Sequence, residues 1–191
     1  AQAKKNGLRV LSEDGWRLPT PSAFSPAEIT AVKAWVEGGG SLLLIADHMP
    51  FAGAAQDLAA AFGFALYNGF ALRPKPSGPD LFSRAGGTLT DDPVTRGRDD
   101  GERIDRLRTF TGSAFRAPAG ARPLIILPRG YQSLEPTVAW EFDDATPRRD
   151  VAGALQGAVL RVGKGRVAMF GEAAMFSAQV AGPKRNKMGF N

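Results

Sequence analysis

Gly38-Gly39-Gly40-Ser41-Leu42-Leu43-Leu44-Ile45-Ala46-Asp47-His48 is the stretch that decides how this chain is read. Its centre, residues 41–46, is short and continuously apolar. A run of that length, with glycines before it and polar residues after it, reads as a strand buried on both faces. Such strands belong to parallel sheets covered by helices. The residues ahead of it supply one helix. Ser25-Pro26-Ala27-Glu28 has the form of a capping box, with Ser at the N-cap, Pro first in the helix and Glu third. Ile29, Val32 and Val36 then repeat on one face with Trp35 flanking it, and Gly38 suits the left-handed position that closes a helix. The residues behind the strand supply a second helix over 52–62, rich in Ala, with Leu58, Ala61 and Phe62 as apolar positions and Gly63 as its stop. Helix, strand, polar turn, helix is one repeat of an α/β layered fold.

Outward from there the pattern is less regular. Asn68-Gly69, Pro74, Pro76, Gly78 and Pro79 mark residues 68–80 as a loop or lid, and Asp91-Asp92-Pro93 as a turn. Short strands are expected over 104–110, 123–127 and 137–142. Val159-Leu160-Arg161-Val162, Gly163-Lys164-Gly165 and Arg166-Val167-Ala168-Met169-Phe170 read as a β-hairpin. No internal repeat or linker divides the chain. The expected architecture is a single α/β domain over 1–191: three layers, a mostly parallel sheet flanked by helices, with the hairpin near the C-terminus.

Composition bounds the function. The chain has 191 residues, 43% of them apolar and 23% charged, and its 12 Phe and 3 Trp are those of a chain that buries a core. No apolar run approaches the roughly 20 residues of a membrane helix. Ala1-Gln2-Ala3-Lys4-Lys5 leads into no apolar segment of signal-peptide type. Cysteine is absent, which excludes disulfides, thiolate metal sites and a Cys nucleophile and leaves the compartment open. The net charge of +5 raises the question of nucleic acid. The arginines, however, stand singly among acids, as in Arg96-Gly97-Arg98-Asp99-Asp100. With no basic run and no helix-turn-helix pattern, a solvated surface is expected and no nucleic-acid partner.

Ligands of open parallel sheets bind beyond the carboxyl ends of the strands. Two strands here end in ionisable residues: 42–46 delivers Asp47 and His48, and 166–170 delivers Glu172. His48 is the only histidine. Beside Asp47 it reads as a general base oriented by a carboxylate, as a metal ligand, or as a group that caps the following helix or hydrogen-bonds a loop carbonyl. Asp47 also reads as a cap for that helix. Glu172 reads as a partner for His48, an acid or a cation ligand, and equally as a first-turn acid beside a helix dipole. Ser113, in Thr111-Gly112-Ser113-Ala114, is the candidate nucleophile and Ser177 a weaker one, although a Gly-x-Ser-x-Gly elbow is absent. Gly163-Lys164-Gly165 lacks the spacing and the Ser or Thr of a phosphate loop.

Four segments together carry a resemblance: Trp35 through His48, Phe110-Thr111-Gly112-Ser113, Gly171-Glu172-Ala173-Ala174-Met175-Phe176-Ser177-Ala178-Gln179, and Met188-Gly189-Phe190-Asn191. They resemble a DUF4350-type bacterial family of unknown function with the class I glutamine-amidotransferase-like, flavodoxin-like fold. The likeness runs from about Trp16 to the end. It implies a fold and a pocket but no particular reaction. Amidotransferases of that fold use a Cys nucleophile, so glutamine hydrolysis by that route is excluded here. Family members begin earlier and continue past Met-Gly-x-Asn into a final helix. The resemblance therefore implies a fragment lacking the first β-α unit and the last helix, with sheet edges open to homo-oligomer formation.

Two functions follow as expectations. The first is a hydrolase of an ester, lactone or amide, with His48 as base, Asp47 or Glu172 as its orienter, and Ser113 or a water as nucleophile. In a variant, Asp47, Glu172 and with them His48 hold Ca²⁺ or Mg²⁺, the remaining ligands coming from water or from the N-terminal unit that the resemblance implies is missing, since one His among carboxylates suits a hard cation. The alternative is a non-catalytic domain that binds a sugar, a peptide or a partner protein at the same crevice, with aromatic residues of 68–82 as contacts.

Overall fold

The computed structural model describes residues 17–74, 78–177, 180–181 and 186–190. Helix α1 (Pro26–Glu37) leads into β1 (Ser41–Ile45) and α2 (Phe51–Ala60). Short strands follow: β2 (Ala65–Tyr67), β3 (Phe70–Leu72) and β4 (Asp80–Ser83), then the single-turn helix α3 (Pro93–Arg96). Next come β5 (Arg106–Thr109), β6 (Ala114–Arg116), β7 (Arg122–Ile126), β8 (Gln132–Leu134) and β9 (Arg148–Asp150). The longest strands are β10 (Leu155–Val162) and β11 (Gly165–Phe170), followed by a 3-10 turn (Ala174–Phe176). The described chain closes with β12 (Val180–Ala181), β13 (Asn186–Lys187) and β14 (Gly189–Phe190).

The start of α1 follows the sequence rule. Glu28 N–H donates to Ser25 Oγ at 3.3 Å, and Glu28 Oε2 accepts from Ser25 N–H at 2.8 Å, which closes the capping box. Its end does not: Gly38 is right-handed at φ −74°, and Gly39 takes the positive φ of 126°. The hairpin forms as read, with Val162 opposite Gly165 across Gly163-Lys164. Strands also form within 104–110 and 123–127, as β5 and β7. Residues 137–142 form no strand. They are turn and exposed loop, with Trp140 left-handed at φ 63°.

The main sheet has the order β1-β11-β10-β6-β2, with β7 also paired to β10. Only β1 and β11 are parallel, from Ser41↔Arg166 to Ile45↔Phe170. The other pairings of that sheet are antiparallel. So are those of the smaller sheets β14-β5-β4, β3-β8-β9 and β12-β13. The expected three-layer α/β sandwich on a mostly parallel, flavodoxin-like sheet is therefore corrected to a predominantly β domain with mixed and antiparallel sheets. Two physical facts account for the difference. A parallel pair needs a crossover of a dozen residues or more, usually a helix, and beyond α2 the only α-helix among the described residues is the four-residue α3. Among the described residues the apolar run of β1 also lies at the sheet edge, where Leu43 is 55% exposed. A continuous apolar run does not distinguish an interior strand from an edge strand covered on one side.

That covered side carries the helices. Val36 of α1 and Leu58 of α2 pack with Leu44, Ala158, Val167, Met169 and Phe115. The opposite face, with Phe170, Val159 and Ala168, packs on Phe82, Leu107, Leu124 and Tyr131 from the strand layer. Among the described residues, no helix is long and apolar enough to cross a membrane.

Gly165 marks where α1 meets the hairpin. A Cβ there would collide with the carbonyl oxygens of Val36 and Gly40, both backbone atoms that cannot turn away. Gly165→Ala is expected to destabilise the domain by about 1–3 kcal/mol, the usual cost of overpacking. Urea unfolding compared with the parent protein measures it, and an unchanged midpoint would contradict this packing.

Candidate functional site

The parallel ladder ends with Ala46 N–H donating to Phe170 O at 2.9 Å. Beyond that bond the two chains diverge, one into Asp47-His48 and the other into Gly171-Glu172. The tight turn ahead of β6 approaches the same place, because Thr111 and Gly112 are both left-handed, at φ 68° and 88°. Only glycine fits at 112, where a Cβ would run into Gly171 O, Gln156 Nε2 and Glu172 Cβ. Asp47, Glu172 and Ser113 thus gather at one strand end, as the sequence implied.

What they do there is largely hold backbone. Ser113 is fully buried and its hydroxyl donates to Ala46 O at 2.8 Å. Glu172 is also fully buried. Its Oε1 accepts from Phe110 N–H and Ala174 N–H, each at 3.0 Å, and its Oε2 accepts from Met175 N–H at 2.8 Å. The carboxylate thereby caps the 3-10 turn and ties it to the end of β5. Burial pushes the Glu172 carboxyl up to about 7, three N–H donors pull against that rise, and the nearby charge of Asp47 adds to it. Gln156 completes the lacing, its Nε2 donating to Thr111 O at 2.8 Å. Its Oε1 is buried without a partner among the described residues. Asp47 Oδ1 accepts from His48 N–H at 2.7 Å, a local turn of the kind a capping acid makes. Ser177 Oγ donates to Ala174 O at 2.9 Å.

The His48 ring takes no part in this lacing. Its Nδ1 lies 2.7 Å from Met49 O. A carbonyl only accepts, so Nδ1 carries a proton, and of the two neutral tautomers this is the one that leaves Nε2 as the lone-pair acceptor. The ring stacks on Phe70 of β3, with centroids 4.5 Å apart and planes 18° apart. Trp140 meets it edge-on at 5.7 Å, and Phe51 at the start of α2 lies tilted at 5.9 Å. Phe142 extends the group, edge-on to Phe70 at 5.0 Å. Phe51, Trp140 and Phe142 are each about half exposed, so the rings form a shelf open to solvent.

Among the described residues, no three of His, Asp and Glu stand together as a set that could hold a metal ion. Asp47, His48 and Glu172, expected as ligands of Ca²⁺ or Mg²⁺, are thus not brought together as such a set among them. The aromatic contacts expected from 68–82 include Phe70, whereas Phe82 is core. Phe51, Trp140 and Phe142 were missed. The available signal was Val138, Trp140 and Phe142 set alternately in a stretch otherwise rich in acids and turn residues, which the strand expectation over 137–142 absorbed.

The raised Glu172 carboxyl has a consequence for stability. Between its unfolded value near 4.5 and its folded value near 7, the native state holds a proton that the unfolded chain has lost. Native stability from this group is therefore full below about pH 4.5 and falls as pH rises to about 7, by about 3 kcal/mol in all. In Glu172→Gln that slope should vanish, while the amide Nε2, facing a backbone donor, lowers stability below pH 5. Denaturant unfolding from pH 4 to 8 checks this; parallel pH profiles for the two proteins would contradict it.

No family model matches this chain, and no curated protein matches it. Among solved structures it is similar to one named mmIFT52 N-terminal domain, with a TM-score of 0.55 at 14% identity over 81% of this chain and 63% of that one. The chain thus spans less than two thirds of that structure, and at such identity the likeness is one of fold alone. The expected DUF4350-type, amidotransferase-like membership is corrected by these findings together with the predominantly β, largely antiparallel architecture.

Proposed function

We propose that this domain is a recognition module that binds its ligand on the aromatic shelf around His48. One observation carries the reading: the shelf presents half-exposed rings and an unshared acceptor at Nε2, whereas the neighbouring hydroxyl and carboxylate are committed to backbone groups. A ligand suited to it offers a flat C–H face to Phe51 and Trp140 and an O–H or N–H to His48. A sugar ring has both. The left-handed backbone at Trp140 fits this role, since strain at a bulky residue persists where the surroundings hold it for a purpose.

Hydrolysis of an ester, lactone or amide is the second reading. It is favoured by the same Nδ1–H tautomer, which leaves Nε2 as the nitrogen that would take a proton as general base. Its nucleophile would be water, as Ser113 Oγ is engaged with Ala46 O.

The discriminating experiment follows the Trp140 indole N–H signal in ¹⁵N NMR during titration with a panel of mono- and oligosaccharides. It is paired with a turnover assay on aryl esters and lactones. A saturable shift, weakened at least tenfold in Phe51→Ala and in His48→Ala with no turnover, is the expected result. Turnover lost in His48→Ala, without any sugar-dependent shift, would replace recognition by hydrolysis.

A further inference from the structure

A cavity of about 240 Å³ opens beside the 3-10 turn that follows Glu172. Its floor and walls are Leu89, Leu107, Leu124, Ile125, Phe170 and Met175. Val94, Ile104 and Phe176 line it as well, and Val94 and Phe176 are about half exposed. Among the described residues of the lining the one polar side chain is Thr95, and its hydroxyl is engaged: it donates to Thr90 O at 2.7 Å and accepts from Arg84 Nη2 at 3.0 Å. Folded interiors leave few voids larger than a water molecule. An opening of this size with an apolar lining is therefore a place for a guest.

The lining fixes the chemistry of that guest. Nothing in it can pair a charge or satisfy a buried donor, so any polar group carried inside would lose its hydrogen bonds to water without replacement. An apolar cavity of about 150 Å³ binds benzene. By proportion, 240 Å³ takes a hydrocarbon group of about eight to ten carbons. Any polar end must remain at the mouth beside Val94 and Phe176. The wall formed by Met175 and Phe176 belongs to the 3-10 turn, which Glu172 holds through two N–H bonds and Phe170 backs with an edge-on ring contact to Phe176 at 4.9 Å. That wall is fixed before any guest arrives.

We propose that this cavity is a binding site for an uncharged hydrocarbon group of about eight to ten carbons, ring or chain, independent of the shelf at His48. The test uses protein labelled at the methyl groups of Ile, Leu, Val and Met, titrated with naphthalene as the ring probe and with octanoate as the chain probe. Saturable shifts at Leu89, Leu124, Ile125 and Met175 with either probe are expected, and which probe saturates assigns the shape. Val94→Trp at the mouth and Ile104→Trp in the wall should each weaken binding at least tenfold and leave the remaining methyl spectrum in place. The Val94 substitution, at a half-exposed position, keeps the test decisive if the Ile104 variant does not fold. Absence of a saturable shift with both probes up to their solubility would overturn the proposal. Shifts of equal size in the parent and Val94→Trp proteins would also overturn it.

Discussion

The pairing of β10 with β11 is the constraint on which the rest of the domain hangs. Its register, from Gly157↔Phe170 to Val162↔Gly165, decides which side chains meet the helices and which meet the strand layer. Ala158, Val167 and Met169 face α1 and α2, while Val159, Ala168 and Phe170 face the other way. Side chains alternate along a strand, so a slip of one residue would exchange the two sets and empty both cores. Every other strand of the main sheet takes its place from this pair. β1 lies beside β11, and β6 and β7 lie beside β10. The close approach of α1 to Gly165 fixes the helix layer against the same hairpin.

The strand end built on this frame is polar for a structural reason. Where β1, β11 and the turn before β6 converge, three backbone segments leave regular pairing together, and their N–H and C=O groups need partners. Ser113, Gln156 and Glu172 supply them. Side chains that look catalytic in a list of residue types are here the mortar between strands. His48 is placed differently. One nitrogen is tied to its own neighbour's carbonyl, and the ring is held by stacking rather than by an acid. The two groups adjoin in space and divide the work, one holding the strand ends and the other facing solvent.

Legibility in the sequence followed the range of the interaction. The capping box at Ser25 and the turn at Gly163-Lys164 are local, and the residues that make them are adjacent, so both were readable. The convergence of Asp47, Glu172 and Ser113 was readable too, because each directly follows or precedes a strand. Strand direction was not. It depends on whether crossover helices exist later in the chain, and one apolar run at 41–46 says nothing of that. The ring shelf was legible only in part, since Phe51, Phe70 and Trp140 come from three separated segments and meet only through tertiary packing. The strand expected over 137–142 failed because alternation of large and small residues is shared by strands and by loops that present aromatic side chains outward.

Glu172 joins the strand end to the wall of the apolar cavity. Its carboxylate reaches Phe110 N–H at the end of β5 and Ala174 and Met175 N–H in the 3-10 turn. Met175 and Phe176 of that turn wall the apolar cavity, while Asp47, whose charge acts on Glu172, begins the segment that carries His48. A carboxylate placed where burial opposes its charge is costly, and a neutral side chain would avoid the cost. No side chain without a carboxyl group, however, offers two oxygens that accept three backbone donors at once; an amide has one acceptor oxygen and turns donors toward donors. The geometry of three converging N–H groups therefore selects Glu at 172, and the raised carboxyl is the consequence of that selection rather than its purpose. An acid in this position is thus explained by the fold alone, which is why the chemistry of the domain is better sought at the open ring shelf than at its most perturbed carboxylate.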